Sequence, residues 1–433
     1  MEKLIKILHD EDCSCVIETH CGQIVKCRQR GVKDLLHLLK NEPDALKGAV
    51  IADKVVGKGA AAIIIVGGAK KLYAEIISSA ALELLDDSDV EVAYGKKVPE
   101  IINREGTGRC PVECVTIGCK NAEECIPLID KFVESMKNKE IIRPKVFFTR
   151  EISPEAIIRL YKALGREVKG NVAVKISTGE PGGHNYLKPE LIGPFVKLVN
   201  GSIVECNTAY EGRRNSTEEH YRAAKEHGFT AIATVDIMDG DGEIFLPVEG
   251  GKHLPYDIVG SHYPDYDFTV ILSHFKGHQM GGFGGAVKNM SIGIASSNGK
   301  AFIHTAGKRA TCEDLWDNIA PQDDFLESMA EAAKAIADHC GDNILYISVA
   351  NNLSVDCDCN ADPEEPKMAD IGILASLDPI ALDKACTDLV RESPDHGKVH
   401  LIERIDSMHG MHTLDYGEKI GLGSQNYELV DLD

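Results

Sequence analysis

The chain has 433 residues, with 47 Lys and Arg against 68 Asp and Glu, a net charge of −21 at neutral pH. Such a charge repels phosphate backbones unless a local basic patch intervenes; none is visible, so no nucleic-acid partner is expected. The most apolar run, Ala60–Val66, falls far short of the roughly 20 residues a membrane helix needs, so no membrane partner is expected either. Met1–Lys6 meets His9-Asp10-Glu11-Asp12 before a signal-peptide core could form, which predicts a cytoplasmic protein. Without an export signal, its 14 cysteines read as reduced thiols, metal ligands or redox groups rather than a disulfide framework.

At roughly 100–200 residues per domain, this length holds two to four domains. Residues 1–137 read as a small α/β unit. Its last helix, ending Phe132-Val133-Glu134-Ser135-Met136, runs into Lys137-Asn138-Lys139-Glu140 and then Pro144, which predicts a linker over 138–145. Strands and helices then alternate. Lys145–Phe148, Val172–Ile176, Ser202–Cys206 and Phe268–Leu272 read as strands. Ser153–Leu164, Lys188–Val199 and Ser216–His227 read as helices, the last opened by a Ser-Thr-Glu-Glu capping signature. The last third repeats this grammar. Pro321–His339 is helical, with Phe325, Met329, Ala332, Ala333 and Ile336 on one face. Ile344–Val349 and Asp370–Ala375 read as strands, and Asp378-Pro379 opens a helix. The expected architecture is α/β: a three-layer N-terminal domain, then a two-lobed, mainly parallel region divided into 146–310 and 311–433.

In the first unit, Cys110, Cys114 and Cys119 lack the paired C-x-x-C spacing of a zinc knuckle and read as buried or incidental thiols. The segments Asp53–Ala62 and Asn103–Glu113 resemble the domain-of-unknown-function family 1893, over about residues 1–137. The resemblance implies a cytidine-deaminase-like fold. A zinc deaminase places a His or Cys two residues before a Glu at one helix start and Pro-Cys-x-x-Cys at another. Lys58-Gly59-Ala60 offers neither ligand nor proton shuttle. A pseudo-active site without catalytic zinc, used for binding or regulation, is expected.

The most informative stretch is Ser273–Asn289, which follows the apolar run Phe268–Leu272 and so falls at a strand's carboxyl end, where open α/β sheets place ligands. Gly281, Gly282, Gly284 and Gly285 allow a tight turn that aims N–H groups at one point, an anion nest with Lys288 as counter-charge. His274 and His278 would share one face of a helix, but the glycines argue against a regular helix. On composition alone the stretch reads equally as a glycine-rich turn with two histidines satisfied by backbone groups.

Residues from about 145 to 433 resemble the domain-of-unknown-function family 362, also labelled an iron–sulfur-centre family. The matching segments are Cys206-Asn207-Thr208, Ser273–His278, Gly282–Asn289 and Ser354–Cys359. No C-x-x-C-x-x-C run is present for a ferredoxin-type cluster. A more distant resemblance, to the lactate racemase family, rests on spacing: His278, then Gly282-Phe283-Gly284-Gly285, Lys288 ten residues after the His, and His304 sixteen further on. It implies a nickel-pincer nucleotide tethered by Lys288, nickel held by His304, and His278 as a catalytic base. It also places Lys188-Pro189 where a substrate carboxylate is engaged. The family's second base falls at Gly212-Arg213-Arg214-Asn215. Arginine does not deprotonate in proteins, so two-base racemisation is not expected.

Asp356-Cys357-Asp358-Cys359 follows the strand Ile344–Val349. Two thiols between carboxylates suit a soft or borderline metal with a further ligand from His274 or Cys206, a redox pair, or a structural turn. Asp236–Glu243 reads as an acidic turn rather than a calcium loop. Met408–His412 reads as a helix end, and Trp316 as core. The expected function is a metal- or cofactor-dependent enzyme acting on a small anionic metabolite. His278 and Lys288 would be catalytic, and Lys188, Gly282, Gly284, Gly285 and Lys288 would bind the cofactor. His304, His274, Cys206, Cys357 and Cys359 would hold nickel, iron or zinc. The alternatives are a metal-binding or iron–sulfur redox module with a redox partner, and a ligand-binding regulatory protein.

Overall fold

The computed structural model describes residues 1–29, 31–103, 108–141, 143–313 and 315–433. The chain divides into two compact units, Met1–Ile142 and Arg143–Asp433. Of the expected linker, residue 142 lies outside the described residues. Residues 138–141 continue the helix Ala122–Ile141, and Lys145 already opens a strand.

Unit 1 holds five strands, Cys15–Glu18 (β1), Ile24–Cys27 (β2), Val50–Val56 (β3), Lys71–Ser78 (β4) and Glu91–Val98 (β5), in the order β2-β1-β3-β4-β5. β1 is antiparallel to β2 and β3, whereas β3, β4 and β5 are parallel. Side chains alternate across a strand, so neighbours in β1 and β3 enter different cores. Val16 and Ala52 pack with Leu4 and Leu8 of the helix Glu2–Asp10; Ile17 and Ile51 pack with Ile63 of the helix Lys58–Val66. Three layers result. Glu113, in the first turn of the helix Pro111–Thr116, accepts from the Lys58 amide that opens the helix Lys58–Val66, at 3.4 Å, from the Ile101 amide at 2.7 Å and from the Ser78 hydroxyl. Lys58 turns its ammonium onto the Ile117 and Cys119 carbonyls, at 3.0 and 2.7 Å.

Unit 2 is built on one eight-stranded sheet. Its strands are Lys145–Thr149 (β6), Val172–Lys175 (β7), Gly201–Glu205 (β8), Val235–Ile237 (β9), Phe268–His274 (β12), Ile344–Ala350 (β15), Gly372–Ser376 (β16) and Glu428–Asp431 (β17). They run in the order β17-β6-β16-β15-β12-β7-β8-β9. Only β16 is antiparallel to its neighbours, β15 and β6. Strands from 146–310 and 311–433 share this sheet, so the division near residue 310 separates stretches of sequence rather than sheets. Two hairpins complete the unit: Glu243–Pro247 (β10) with Tyr256–Gly260 (β11), and Lys276–His278 (β13) with Gly282–Gly284 (β14).

The apolar run of β12 is explained by cover on both faces. Phe268, Val270 and Leu272 enter one core with Leu345 and Ile347, while Ile271 enters the other with Ile344 and Tyr346. Ser153 and Asp378 cap their helices through the Ala156 and Ala381 amides. Within the acidic turn, Asp236 and Asp241 both bind His262 at 2.9 Å, and Asp239 accepts the Asn207 and Ser297 amides. Trp316 departs from expectation: it is 63 % exposed. It sits in a short 3-10 turn, Trp316–Asn318, none of whose residues is buried.

Candidate functional site

Because β7, β8, β12 and β15 are mutually parallel, their carboxyl ends meet on one edge of the sheet. A cavity of about 400 Å³ opens there. Five cationic side chains line it: Lys175, Arg214, Lys276, Lys288 and Lys300. Glu205 and Asp358 are the carboxylates among its walls. In a chain of net charge −21, this is a concentrated positive field, and low-dielectric walls strengthen it.

Four of the five cations are tied down. Lys175 pairs with Glu205 at 2.7 Å, both almost fully buried. Burial opposes ionisation of Glu205, but Lys175, His220 and Arg214 outweigh it and hold the carboxyl down at about 2. Arg214 donates to Glu180 at 2.8 Å and to the Tyr210 hydroxyl at 2.9 Å. Lys276 pairs with Asp358, and Lys300 donates to the Ala295 carbonyl at 2.6 Å. The Lys288 amine has no hydrogen-bond or ion-pair partner among the described residues. Burial, reinforced by Lys276, pushes it down to about 7.

Of the three histidines that line the cavity, His278 and His304 present opposite faces. His278 Nδ1 accepts from the Met280 and Gly281 amides, at 3.2 and 2.9 Å. An amide can only donate, so Nδ1 is the acceptor and Nε2 carries the hydrogen. Burial, then Lys288 and His304, push the ring far below the usual imidazole range, so it stays neutral. The expected role of His278 as a base is therefore corrected: the ring's one in-plane lone pair, on Nδ1, is taken by the two amides, and Nε2–H makes the ring a donor. His304 is the reverse. Its Nδ1 donates to the Lys300 carbonyl at 2.6 Å, one helical turn back, which leaves a lone pair on Nε2. Burial pushes this ring down to about 4, and it stacks on Phe325 at 4.7 Å between centroids.

The other expected metal ligands fare less well. His274 directs Nδ1 to Asp358 at 2.9 Å and Nε2 to the Asn351 carbonyl at 2.7 Å, so neither nitrogen has a lone pair to give. The Cys206 thiol donates to the Ile294 carbonyl at 3.1 Å, and burial pushes its ionisation far up, so it is no thiolate ligand. Cys357 and Cys359 are joined as a disulfide and offer no thiolate in this state. Their sulfurs and a ring nitrogen of His278 nevertheless lie within 4.8 Å of one another. A second group of this kind, His253, Asp324 and Glu327, lies outside the cavity lining and is already bound by Lys252.

The glycine segment forms no anion nest. β13 and β14 pair as a hairpin, and the Ala286 and Val287 amides are taken by the buried Asp383 carboxylate at 2.7 and 2.9 Å. Gly284 and Gly285 line the cavity; Gly282, at φ +78, instead packs where a Cβ would meet Gly410 Cα at 2.9 Å. Lys188 is not among the lining residues; it caps the helix Pro189–Leu198, and its ammonium binds the His184 carbonyl and covers the Tyr186 ring. A Cβ on Gly285 would lie 2.2 Å from Asp383 Oδ1. Gly285→Ala is therefore expected to destabilise unit 2 by about 2 kcal/mol, read as a lower urea midpoint.

Sequence reasoning missed Lys175, Lys276, Lys300, Glu205 and Asp358 as cavity residues. The readable signal was a charged residue at the carboxyl end of an otherwise apolar strand, as at Lys175 and Glu205.

Fold and site together define an open α/β protein with a cation-lined cavity at the carboxyl ends of its parallel strands. The sequence pattern of the domain of unknown function DUF362 matches residues 172–388, and the chain belongs to that family. The pattern of a second domain of unknown function, DUF1893, matches residues 3–133. No curated protein matches the chain. Similar solved structures include a DUF1893-family protein from Thermotoga maritima, at 26% identity and a TM-score of 0.29, covering 30% of this chain and 88% of that one. The lactate racemase apoprotein from Thermoanaerobacterium thermosaccharolyticum is 14% identical with a TM-score of 0.35, and 57% of each chain is covered. Another Thermotoga maritima protein is 14% identical with a TM-score of 0.33, covering 55% of this chain and 58% of that one. This chain thus spans little more than half the length of those last two. Among the described residues, no helix is long and apolar enough to cross a membrane.

Proposed function

We propose that unit 2 is an enzyme that acts on a small anionic metabolite held in this cavity. The observation that carries the reading is the Lys288 amine, unpartnered and facing a cavity lined by four further cations. A ligand carrying two or more negative charges would supply the counter-charge that the walls lack. Lys288 and Arg214 would bind it, and His278 Nε2–H would donate to an oxygen bearing negative charge. His304 Nε2 is the group suited to accept a proton or to ligate a metal, since its other nitrogen is anchored on a carbonyl. With one proton acceptor, and Arg213 in the register of the second base, two-base racemisation is disfavoured.

Lys288 and His304 are also the residues that fit a metal-bearing nucleotide of nickel-pincer type, as tether and ligand; His274 and Cys206 do not fit. Such a group would supply an electrophilic metal. Metal analysis of protein purified from its own host separates the readings: nickel with a nucleotide-like absorbance supports this one, and iron with sulfide the redox-module alternative.

The anion itself is tested through Trp316, the chain's one tryptophan, which lines the cavity. Citrate and 2-phosphoglycerate are expected to change its fluorescence saturably, and glycerol is not. An equal response to glycerol would sink the proposal.

A further inference from the structure

The Cys357–Cys359 bond raises a question of its own. The other twelve cysteines are free, so sulfur is oxidised only at the cavity wall. The stabilisation a disulfide provides grows with the length of loop it closes, and here a single residue separates the cysteines. Stapling the fold is therefore a poor account of this bond.

Its surroundings suit exchange chemistry instead. Both sulfurs line the cavity; Cys357 is buried and Cys359 half-buried. The residue between them is fixed on both its side chain and its backbone. Asp358 is gripped by His274 and Lys276, and its carbonyl accepts the Glu180 amide at 2.8 Å. The Cys357 carbonyl accepts the Asn360 amide at 3.0 Å. With the segment anchored this way, the two sulfurs would stay adjacent when the bond opens. The His278 ring, whose free nitrogen carries a hydrogen, lies beside them, and Lys276 and Lys288 face the same space. Donors and cations of this kind stabilise a thiolate leaving group.

We propose that Cys357 and Cys359 are a redox-active pair opened by an anionic low-molecular-weight thiol that enters the cationic cavity. The first thiolate attacks Sγ of Cys359; the S–S bond breaks and Cys357 leaves as a thiolate beside His278. A second thiolate attacks the incoming sulfur of the mixed disulfide and releases Cys359. Two thiols become one small-molecule disulfide, and the protein pair gains two electrons and two protons. The preference for an anion rests on the same positive field as the proposed function, but exchange at the sulfurs requires no metabolite to be turned over.

The test compares glutathione, which is anionic, with cysteamine, which is cationic, at equal thiolate concentration and without oxygen. The peptide carrying both cysteines is followed by maleimide labelling and mass spectrometry. Glutathione is expected to open the pair at least tenfold faster, and Lys288→Met to narrow that gap. Cys357→Ser, which keeps the attacked sulfur, is expected to hold a stable mixed disulfide after treatment with oxidised glutathione, and Cys359→Ser is not. Equal rates for the two thiols would overturn the proposal. So would a pair that oxidised glutathione cannot close, or that holds zinc through both sulfurs as purified. The Trp316 titration with citrate uses no thiol, so failure of the anion reading and failure of the redox reading are told apart.

Discussion

Lys288→Met is expected to weaken citrate binding at least tenfold and to make unit 2 more stable by up to about 4 kcal/mol at pH 7. Both effects follow from an amine held at about 7 by burial and by Lys276. Between that value and the usual lysine range the unfolded chain binds more protons than the folded one, so the wild type gains stability as pH rises. The penalty that the substitution removes is full below about pH 7 and fades towards the ordinary lysine value. The stability difference between variant and wild type, read from urea unfolding, should therefore shrink from pH 7 to pH 10. Binding runs the opposite way. Lys288 is charged below about pH 7 and neutral above it, so wild-type affinity for citrate should fall by about tenfold between pH 6 and pH 8. The variant should be flat across that window. A variant no more stable than wild type at pH 7 would show that the amine is solvated rather than buried.

Asp358→Asn is expected to cost about 3–5 kcal/mol, because it leaves the buried Lys276 ammonium without a counter-charge and the His274 ring without its carboxylate partner. Burial works against this carboxylate, yet Lys276 and His274 outweigh it and hold its ionisation well below the usual range. A carboxyl depressed in the folded state contributes stability above its unfolded value, and that stability is lost as pH falls towards the folded one. The gap between wild type and Asp358→Asn should thus be constant from pH 8 to about pH 5 and close below pH 4. Lys276→Met is the companion variant, since it removes one cation and leaves the His274 pair intact. It should cost less than Asp358→Asn. Equal costs would mean that His274 contributes nothing to the network.

Much of this architecture was legible in the chain itself. An apolar run buried on both faces reads as a parallel strand because neither side can tolerate a charge, and Phe268–His274 and Ile344–Ala350 obey that rule. Ser153 and Asp378 marked helix starts because a cap acts within three residues. Parallel strands must end on one edge, so the segments after β8, β12 and β15 could be expected to meet, and they line one cavity.

Tertiary structure alone decided which atoms in that cavity are free. The carboxylate that takes the Ala286 and Val287 amides comes from Asp383, 97 and 96 residues away, which is why a glycine-rich turn is no anion nest. Asp358 reaches back 84 residues to occupy His274. The hairpin β13–β14 turns two amides onto His278 and converts an apparent base into a donor. Residue type and spacing determine which groups can approach a site. Whether a ring nitrogen keeps its lone pair depends on the partner that the folded backbone sets against it.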